Sequence, residues 1–243
     1  NIINNLNIID KVISFVEFKQ DQLSSRNNGK KVKRIKDIPK LDDANLAGGP
    51  ESINCTLILT EGDSAKTMAI SGLKEIGRNN YGIFPLRGKF LNVKEASKNQ
   101  LNNNSELNNL IKIIGLEYNK VYTNTSKLRY GKIMIMTDQD HDGSHIKGLI
   151  INLFHTLWPS LLQLGYITSM ITPIIKVFNL NKSIAFYNIS EYTKWLDSNS
   201  NHKKWKSKYY KGLGTSTSIE AIDYFKNMKL MNYSWTDNST SYV

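Results

Sequence analysis

The chain has 243 residues, 40% of them hydrophobic, which is enough to bury one large core or two small ones. Its formal net charge of +11 favours a polyanionic partner, with nucleic acid first and an anionic membrane surface as the rival. No apolar run approaches bilayer length and no signal pattern opens the chain, so we expect no membrane-spanning segment. Of the two polyanions we expect nucleic acid, and no membrane partner. The only cysteine, Cys55, excludes a disulfide framework and a cysteine-based zinc site, which fits a reducing, intracellular compartment.

Residues 1–50 are predicted to precede the core. Apolar residues recur at helical spacing within residues 1–24, which predicts a helix, and the chain reads as a fragment because it opens on Asn1. Residues 24–36 are basic, and we interpret them as a solvated linker, with phosphate contact as the lesser alternative. Residues 39–50 are rich in proline and glycine and predict an ordered loop.

A first unit of strand, acidic turn and helix follows. Residues 55–60 are β-branched and apolar, and they predict a strand that ends at Glu61. Asp63 or Ser64 is the expected cap of the next helix, and Gly77 is its expected stop. The apolar face of this helix comprises Ala65, Met68, Ala69, Gly72, Leu73 and Ile76.

A second unit of the same kind carries three alternating carboxylates. Residues 133–136 are all apolar, which predicts a strand buried on both faces, and Asp138, Asp140 and Asp142 follow it. If the backbone stays extended, the three side chains share one side. Taken alone, this pattern fits a solvated acidic loop as well as it fits a metal site. A helix with apolar residues from Ile146 to Leu157 comes next and is closed by Pro159.

Two such units predict an open α/β sheet, in which ligands bind beyond the carboxyl ends of the strands. Glu61, Asp138 and Asp140 all lie at such ends. If the two strands are neighbours, their carboxylates gather at one edge, where a cation has to offset their repulsion. Carboxylate oxygens are hard ligands that favour Mg²⁺. The placement of Glu61 on a separate strand therefore favours a metal site over a solvated loop.

The remaining segments predict further elements. We expect strands at residues 81–86, 170–178, 183–189 and 205–210, a helix at 190–196, and a short helix or strand at 107–116; the Asn-rich residues 99–109 are interpreted as surface bias. Arg87-Gly88-Lys89 forms a turn that could reach phosphate, although most basic turns are merely solvated. Lys211-Gly-Leu-Gly-Thr-Ser216 could cradle an anion, but a tight turn before a capped helix from Ser218 is the nearer interpretation.

Six motifs in one order resemble the TOPRIM region of the eukaryotic type IIA DNA topoisomerases. They are Pro39-Lys-Leu-Asp-Asp-Ala-Asn, Thr60-Glu-Gly-Asp-Ser-Ala65, Pro85-Leu-Arg-Gly-Lys-Phe-Leu-Asn-Val93, Thr137-Asp-Gln-Asp-His-Asp-Gly-Ser-His-Ile-Lys-Gly148, Thr172-Pro-Ile-Ile-Lys-Val177 and Tyr210-Lys-Gly-Leu-Gly-Thr-Ser216. The resemblance covers nearly all of residues 39–225. The sequence departs from the family pattern in the Asn-rich connections and after Phe225.

The resemblance implies a fold and a domain organisation. The fold is α/β, an open, Rossmann-like parallel sheet flanked by helices with an α+β extension. Residues 1–50 would lead from an upstream ATPase region, residues 51–178 would form the TOPRIM core, and residues 179–243 would lead toward a winged-helix domain. Family members are nuclear, ATP-driven isomerases that act as homodimers on double-stranded DNA. They cut one duplex through a tyrosyl–DNA intermediate, pass another duplex through, and reseal the cut.

The resemblance also implies roles for individual residues. Glu61, Asp138 and Asp140 match the family's Mg²⁺ ligands, with Mn²⁺ or Ca²⁺ as substitutes in binding, and Asp142 matches a fourth, assisting acid. Lys89 and Asn92 match DNA contacts near the cut, with Arg87 close by and His145 and Lys147 as further phosphate neighbours. ATP serves the full-length enzyme and is not expected to bind this chain.

The nucleophilic tyrosine is expected outside this chain, because Arg129-Tyr130 only superficially resembles a catalytic pair. It matches a non-catalytic segment of the family and precedes a buried strand. Two alternatives remain open: another TOPRIM-type metal-dependent nuclease or primase, and a non-catalytic basic DNA-binding module.

Overall fold

A computed structural model describes residues 31–180, 182–210, 212–233 and 235. The helix predicted within residues 1–24, the first part of the basic linker and Lys211 lie outside the described residues. The strands, in chain order, are β1 (Thr56–Glu61), β2 (Tyr81–Leu86), β3 (Lys132–Met136), β4 (Ile167–Ile171), β5 (Ile175–Asn179), β6 (Lys182–Phe186), β7 (Lys206–Tyr209) and β8 (Lys229–Asn232). The α-helices are α1 (Gly62–Ile76), α2 (Lys98–Asn103), α3 (Ser105–Ile114), α4 (His141–Leu157), α5 (Pro159–Gln163), α6 (Ile189–Ser198) and α7 (Ser218–Lys226).

The first sheet has the strand order β2-β1-β3-β4-β8, with the first four strands parallel and β8 antiparallel at the edge. The apolar run of β3 is buried from Ile133 to Met136, as predicted for a strand covered on both faces. Helices flank the sheet, so the predicted open α/β fold is confirmed. In the register, Thr60 pairs with Met136 and Glu61 pairs with Leu86, which brings three carboxyl ends to one edge.

The predicted apolar face of α1 is confirmed, because Ala65, Met68, Ala69, Gly72 and Leu73 are buried and the helix ends at Gly77. That face packs against α7, closely enough that a Cβ on Gly72 would lie 2.1 Å from Cδ2 of Phe225. On the other face of the sheet, α3 and α4 contribute to the larger hydrophobic cluster.

The second sheet is antiparallel, in the order β6-β5-β7, and forms the predicted α+β extension together with α6. Its small core contains Ile175, Val177 and Phe186, and Trp195 packs on Phe186 with ring centroids 5.5 Å apart. Trp195 is therefore a packing residue, as predicted. The chain then returns through α7 and β8 to the first sheet. The domain limits at residues 50/51 and 178/179 remain predictions.

Two local predictions were wrong, each for a physical reason. The run at 170–178 is two strands in different sheets, because Pro173 cannot donate to a ladder and ends the first strand. Neither Asp63 nor Ser64 caps α1: the N-cap position is Glu61, without a side-chain cap, and Asp63 instead pairs with Lys40 at 2.8 Å. The condition that the backbone stays extended through all three carboxylates is met only in part: Asp140 is extended, with φ −122° and ψ −171°, but α4 begins at His141, so Asp142 is helical.

The Asn-rich connection is also more ordered than its composition indicates. Ser97 and Gln100 form a capping box at the start of α2, and the side chain of Asn104 caps α3. The left-handed Gly115 ends α3, which settles the predicted helix-or-strand segment as a helix.

Candidate metal centre at the carboxyl edge of the parallel sheet

Four carboxylates lie at the edge where β1, β2 and β3 end. Glu61 is the last residue of β1, and Asp138 comes two residues after β3. Asp140 is the N-cap of α4 and Asp142 lies in the first turn of that helix. Because β1 and β3 are adjacent and parallel, the sheet brings together the acids that the sequence predicted.

Glu61 and Asp138 are in direct contact. The backbone N–H of Asp138 donates to Oε2 of Glu61 at 3.2 Å, so the end of one strand is tied to the carboxylate of the other. The pKa of Glu61 is raised, first by burial and then by the negative charges of Asp138, Asp140 and Asp142, and the Asp138 N–H offsets part of that rise. The four acids therefore repel one another at this edge.

Asp140 is the extended residue that caps α4, and Asp142 lies in the first turn of that helix. Oδ1 of Asp140 accepts the Gly143 N–H at 2.8 Å, which caps α4 and leaves Oδ2 outside that bond. Gly143 has no room for a side chain, because a Cβ there would lie 2.1 Å from the backbone oxygen of Asp138. Asp142 is exposed, and its Oδ1 lies 3.6 Å from Nζ of Lys89.

The carboxylate of Asp138 is held by a residue far along the chain. Its Oδ1 accepts the N–H of Leu213 at 2.6 Å. A Cβ on the neighbouring Gly212 would lie 2.3 Å from its Oδ2. The sequence showed this turn as an anion cradle or a tight turn. In the structure it is a tight turn whose Leu213 N–H binds the carboxylate of Asp138, and of its two glycines only Gly212 lies against that carboxylate.

The donor set fits a hard divalent cation. All four acids offer carboxylate oxygens, and the repulsion felt by Glu61 is what such a cation would offset. Among the described residues, which are 31–180, 182–210, 212–233 and 235, no three His, Cys, Asp or Glu side chains are grouped closely enough to hold a metal ion.

The predicted DNA-contact residues differ in exposure and in how directly they are linked to the acids. Arg87 and Lys89 are exposed just after β2, on either side of Gly88, whose positive φ of 91° favours glycine. The backbone N–H of Arg87 donates to Oε1 of Glu106 at 2.6 Å, which fixes the turn. The Arg87 and Lys89 side chains therefore project from a fixed backbone beside the acids.

The other three predicted DNA contacts are associated with α4: His145 and Lys147 belong to it, and Asn92 bonds to it. Oδ1 of Asn92 accepts from Nδ2 of Asn152 at 2.8 Å, and His145 is exposed one turn into the helix. Lys147 is half-buried and its Nζ lies 3.4 Å from Oε1 of Gln139. Burial lowers the pKa of Lys147, against the opposing effect of Glu61 and Asp140.

Arg129 and Tyr130 are structural residues. The Arg129 side chain is 0% exposed, and it donates to the backbone oxygens of Val32 and Ile113 and to the carboxylate of Asp43. The Tyr130 hydroxyl donates to the same carboxylate and accepts the Ala44 N–H at 3.0 Å. The pKa of Tyr130 is raised, chiefly by burial, so its hydroxyl is a poor nucleophile.

Comparison with known proteins agrees with this geometry. A family model described as Toprim domain matches residues 56–173, and one described as C-terminal associated domain of TOPRIM matches residues 170–242. DNA topoisomerase 2-alpha of Homo sapiens is 59% identical over 226 residues, which cover 91% of this chain and 15% of that protein. DNA topoisomerase 2-beta of Gallus gallus is 56% identical over 230 residues, covering 93% of this chain and 14% of that protein.

A solved structure also matches. The DNA-binding, cleavage and re-ligation domain of Plasmodium falciparum topoisomerase II has a TM-score of 0.82 and 50% identity, covering 86% of this chain and 29% of that one. This chain spans only about 15% of the length of its curated relatives. Among the described helices, none is long and apolar enough to cross a membrane. The chain belongs to the Toprim family, among the TOPRIM regions of the eukaryotic type II DNA topoisomerases.

Proposed function

We propose that this chain is the metal-binding TOPRIM part of an ATP-dependent DNA topoisomerase II, which cleaves, passes and reseals double-stranded DNA through a tyrosyl–DNA intermediate. The observation that carries the proposal is the register of β1 against β3, which sets Glu61 beside Asp138 at one strand edge. In this proposal ATP acts elsewhere in the full-length enzyme, which works as a nuclear homodimer.

Glu61, Asp138 and Asp140 are the proposed Mg²⁺ ligands, with Asp142 assisting and Mn²⁺ or Ca²⁺ able to substitute in binding. When bound, the cation would supply a Lewis acid for a phosphate oxygen and for the departing 3′-oxygen. The residues of the chain do the positioning. Asp138 is restrained by Glu61 on its backbone and by Leu213 on its carboxylate, and Asp140 is restrained by Gly143.

Arg87, Lys89, Asn92, His145 and Lys147 are the proposed DNA contacts. The exposed Arg87 and Lys89 side chains suit phosphate binding, which is sequence-independent and weakens as salt increases. The proposed nucleophile is a tyrosine from another part of the enzyme, because Arg129 and Tyr130 both donate hydrogen bonds to the carboxylate of Asp43.

The test uses the full-length enzyme with Asp138→Asn and Asp140→Asn, and with Asp63→Asn as a matched control at the same edge. Asp63 is exposed and pairs with Lys40, outside the acid group. We expect both test variants to lose Mg²⁺-dependent covalent attachment to DNA by at least about 100-fold, while the control retains it.

Each alternative function has its own outcome in this assay. Intact cleavage with Asp138→Ala and Asp140→Ala would select a non-catalytic DNA-binding module. Metal-dependent nicking without a protein–DNA adduct would select a nuclease, and nucleotide polymerisation would select a primase.

A further inference from the structure

The turn at residues 212–216 contacts Asp138, although the two are far apart in the sequence. It lies 75 residues after Asp138, yet the Leu213 N–H donates to Oδ1 of Asp138 at 2.6 Å. The carboxylate also lies flat against Gly212, where an added Cβ would come within 2.3 Å of Oδ2 and 2.9 Å of Cγ. Both oxygens of Asp138 therefore have their positions limited by two consecutive residues of one turn.

The turn is itself anchored at both ends by Glu220. On the side before the turn, the Tyr210 hydroxyl donates to the Glu220 carboxylate. On the side after it, the Thr217 backbone N–H donates to the same carboxylate at 2.8 Å. Lys208 of β7 adds an ion pair to Glu220 at 3.1 Å. One carboxylate thus closes the segment from Tyr210 to Thr217 and links it to the second sheet.

The turn is also held by the packing of the Leu213 side chain in the hydrophobic core. The Leu213 side chain is 3% exposed, in a cluster with Met68 of α1 and with Met136 and Met170 of the first sheet. Within the turn, the Thr215 hydroxyl donates to the Gly212 backbone oxygen at 2.7 Å. The Leu213 N–H is therefore aimed at Asp138 by a rigid support, which is the arrangement expected of groups that orient a metal ligand.

We propose that the Gly212–Leu213 turn, closed by Glu220, is a positioning element that orients Asp138 for cation binding. This inference rests on the proposed function, since it takes Asp138 to be a metal ligand. It extends that function by making the second sheet part of the metal centre, through Lys208, Tyr210 and Glu220. Gly212 is required because any side chain would push the carboxylate of Asp138 aside.

The test compares Gly212→Ala with Gly214→Ala in the full-length enzyme. Gly214 lies in the same turn, but a Cβ there would meet no atom within 4 Å. The readout is the Mn²⁺ dissociation constant, measured without nucleotide by the electron paramagnetic resonance signal of free Mn²⁺, together with the Mg²⁺ dependence of DNA cleavage. We expect Gly212→Ala to weaken Mn²⁺ binding about tenfold or more and to raise the half-saturating Mg²⁺ concentration similarly. Gly214→Ala should match the wild type.

Tyr210→Phe is the second variant, because it removes one of the bonds that anchor the turn without touching Asp138. We expect a change in the same direction, of about two- to threefold. If neither variant changes Mn²⁺ affinity relative to Gly214→Ala, the inference is wrong. It is also wrong if Gly212→Ala lowers cleavage at saturating Mg²⁺ while the Mn²⁺ dissociation constant stays unchanged.

Asp138→Asn separates this inference from the proposed function. If Asp138→Asn abolishes Mn²⁺ binding and cleavage while Gly212→Ala behaves as wild type, only the positioning role fails. If Asp138→Asn itself leaves both intact, the proposed function fails with it. Thermal unfolding of each variant, compared with Gly214→Ala, reports whether an altered metal affinity accompanies loss of the fold.

Discussion

Replacing Asp43 by Asn is expected to destabilise this chain more than replacing any exposed acid. Arg129 is fully buried, and Asp43, which is 20% exposed, is its only carboxylate partner among the ion pairs that the described residues form. Breaking a buried ion pair from one side costs about 3 to 5 kcal/mol, because the remaining charge stays in a poorly solvated site. Since Asp43 is partly exposed and Asn can still accept a hydrogen bond, we expect about 3 kcal/mol.

The matched control is Asp37→Asn. Asp37 pairs with Lys112, and their side chains are 64% and 47% exposed, so solvent screening should leave that pair with little effect on stability. Urea unfolding of the chain, followed by circular dichroism, separates the two cases. With a urea m-value of about 3 kcal/mol per molar, Asp43→Asn should lower the midpoint by about 1 M, whereas Asp37→Asn should leave it nearly unchanged.

A third variant tests the mechanism rather than the size. Arg129→Met combined with Asp43→Asn should recover part of the loss, because the uncompensated charge is gone. Equal midpoints for Asp43→Asn and Asp37→Asn would refute the reasoning, and so would a double variant less stable than the sum of the single ones.

Three further predictions concern other sites. In the full-length enzyme, Tyr130→Phe should leave covalent attachment to DNA within about twofold of wild type, because the Tyr130 hydroxyl donates a structural hydrogen bond to Asp43. Loss of the protein–DNA adduct in a folded variant would contradict this prediction. Burial acts to raise the pKa of Glu220, but hydrogen bonds from Tyr210, Thr217 and Lys208 lower it to about 2 from 4.5. Because the pKa is lower in the folded chain, the ionised Glu220 stabilises the fold fully above pH 4.5. The free energy of unfolding of Glu220→Gln should therefore be about 2 to 3 kcal/mol below that of the wild type at pH 7, and this difference should shrink as pH falls from 4.5 toward 2. A difference that does not change with pH would contradict the prediction. Gly72→Ala should cost about 1 to 3 kcal/mol in urea unfolding, because its Cβ would overlap the ring of Phe225, whereas Gly148→Ala in α4, with open space around it, should not be destabilising.

The central strands and the acidic edge could be predicted because their signals are local. The apolar run of β3 is buried on both faces, and the helical spacing from Ala65 to Leu73 marks the face of α1. The gathering of Glu61 and Asp138 followed from one further rule, that ligands bind at the carboxyl ends of parallel strands. The strands and helix faces need only residues close together in the sequence, and the gathering of Glu61 and Asp138 needs in addition that β1 and β3 are neighbours.

What could not be predicted depends on contacts between distant residues. Nothing near Asp138 indicates that the N–H of Leu213 will bind it, because the two residues are 75 positions apart and meet only in the folded chain. Asp63 has the local signature of a helix cap, but its carboxylate forms an ion pair with Lys40, which lies in another loop. The exposed strand β8 lacks an apolar alternation, so its pairing with β4 left no trace in the sequence pattern.

The return of the chain to the first sheet has a consequence for how the protein is divided. Residues 172–210 form an insertion between β4 and α7, so the unit that bears the acids is discontinuous in sequence. A chain cut after residue 178 would keep every proposed metal ligand, yet it would lose Leu213, Phe225 and the edge strand β8. The apolar face of α1 that packs on α7 would then be exposed to solvent, and the carboxylate of Asp138 would lose the hydrogen bond from the Leu213 N–H. The smallest piece of this protein that can hold its acidic edge in order therefore extends through β8.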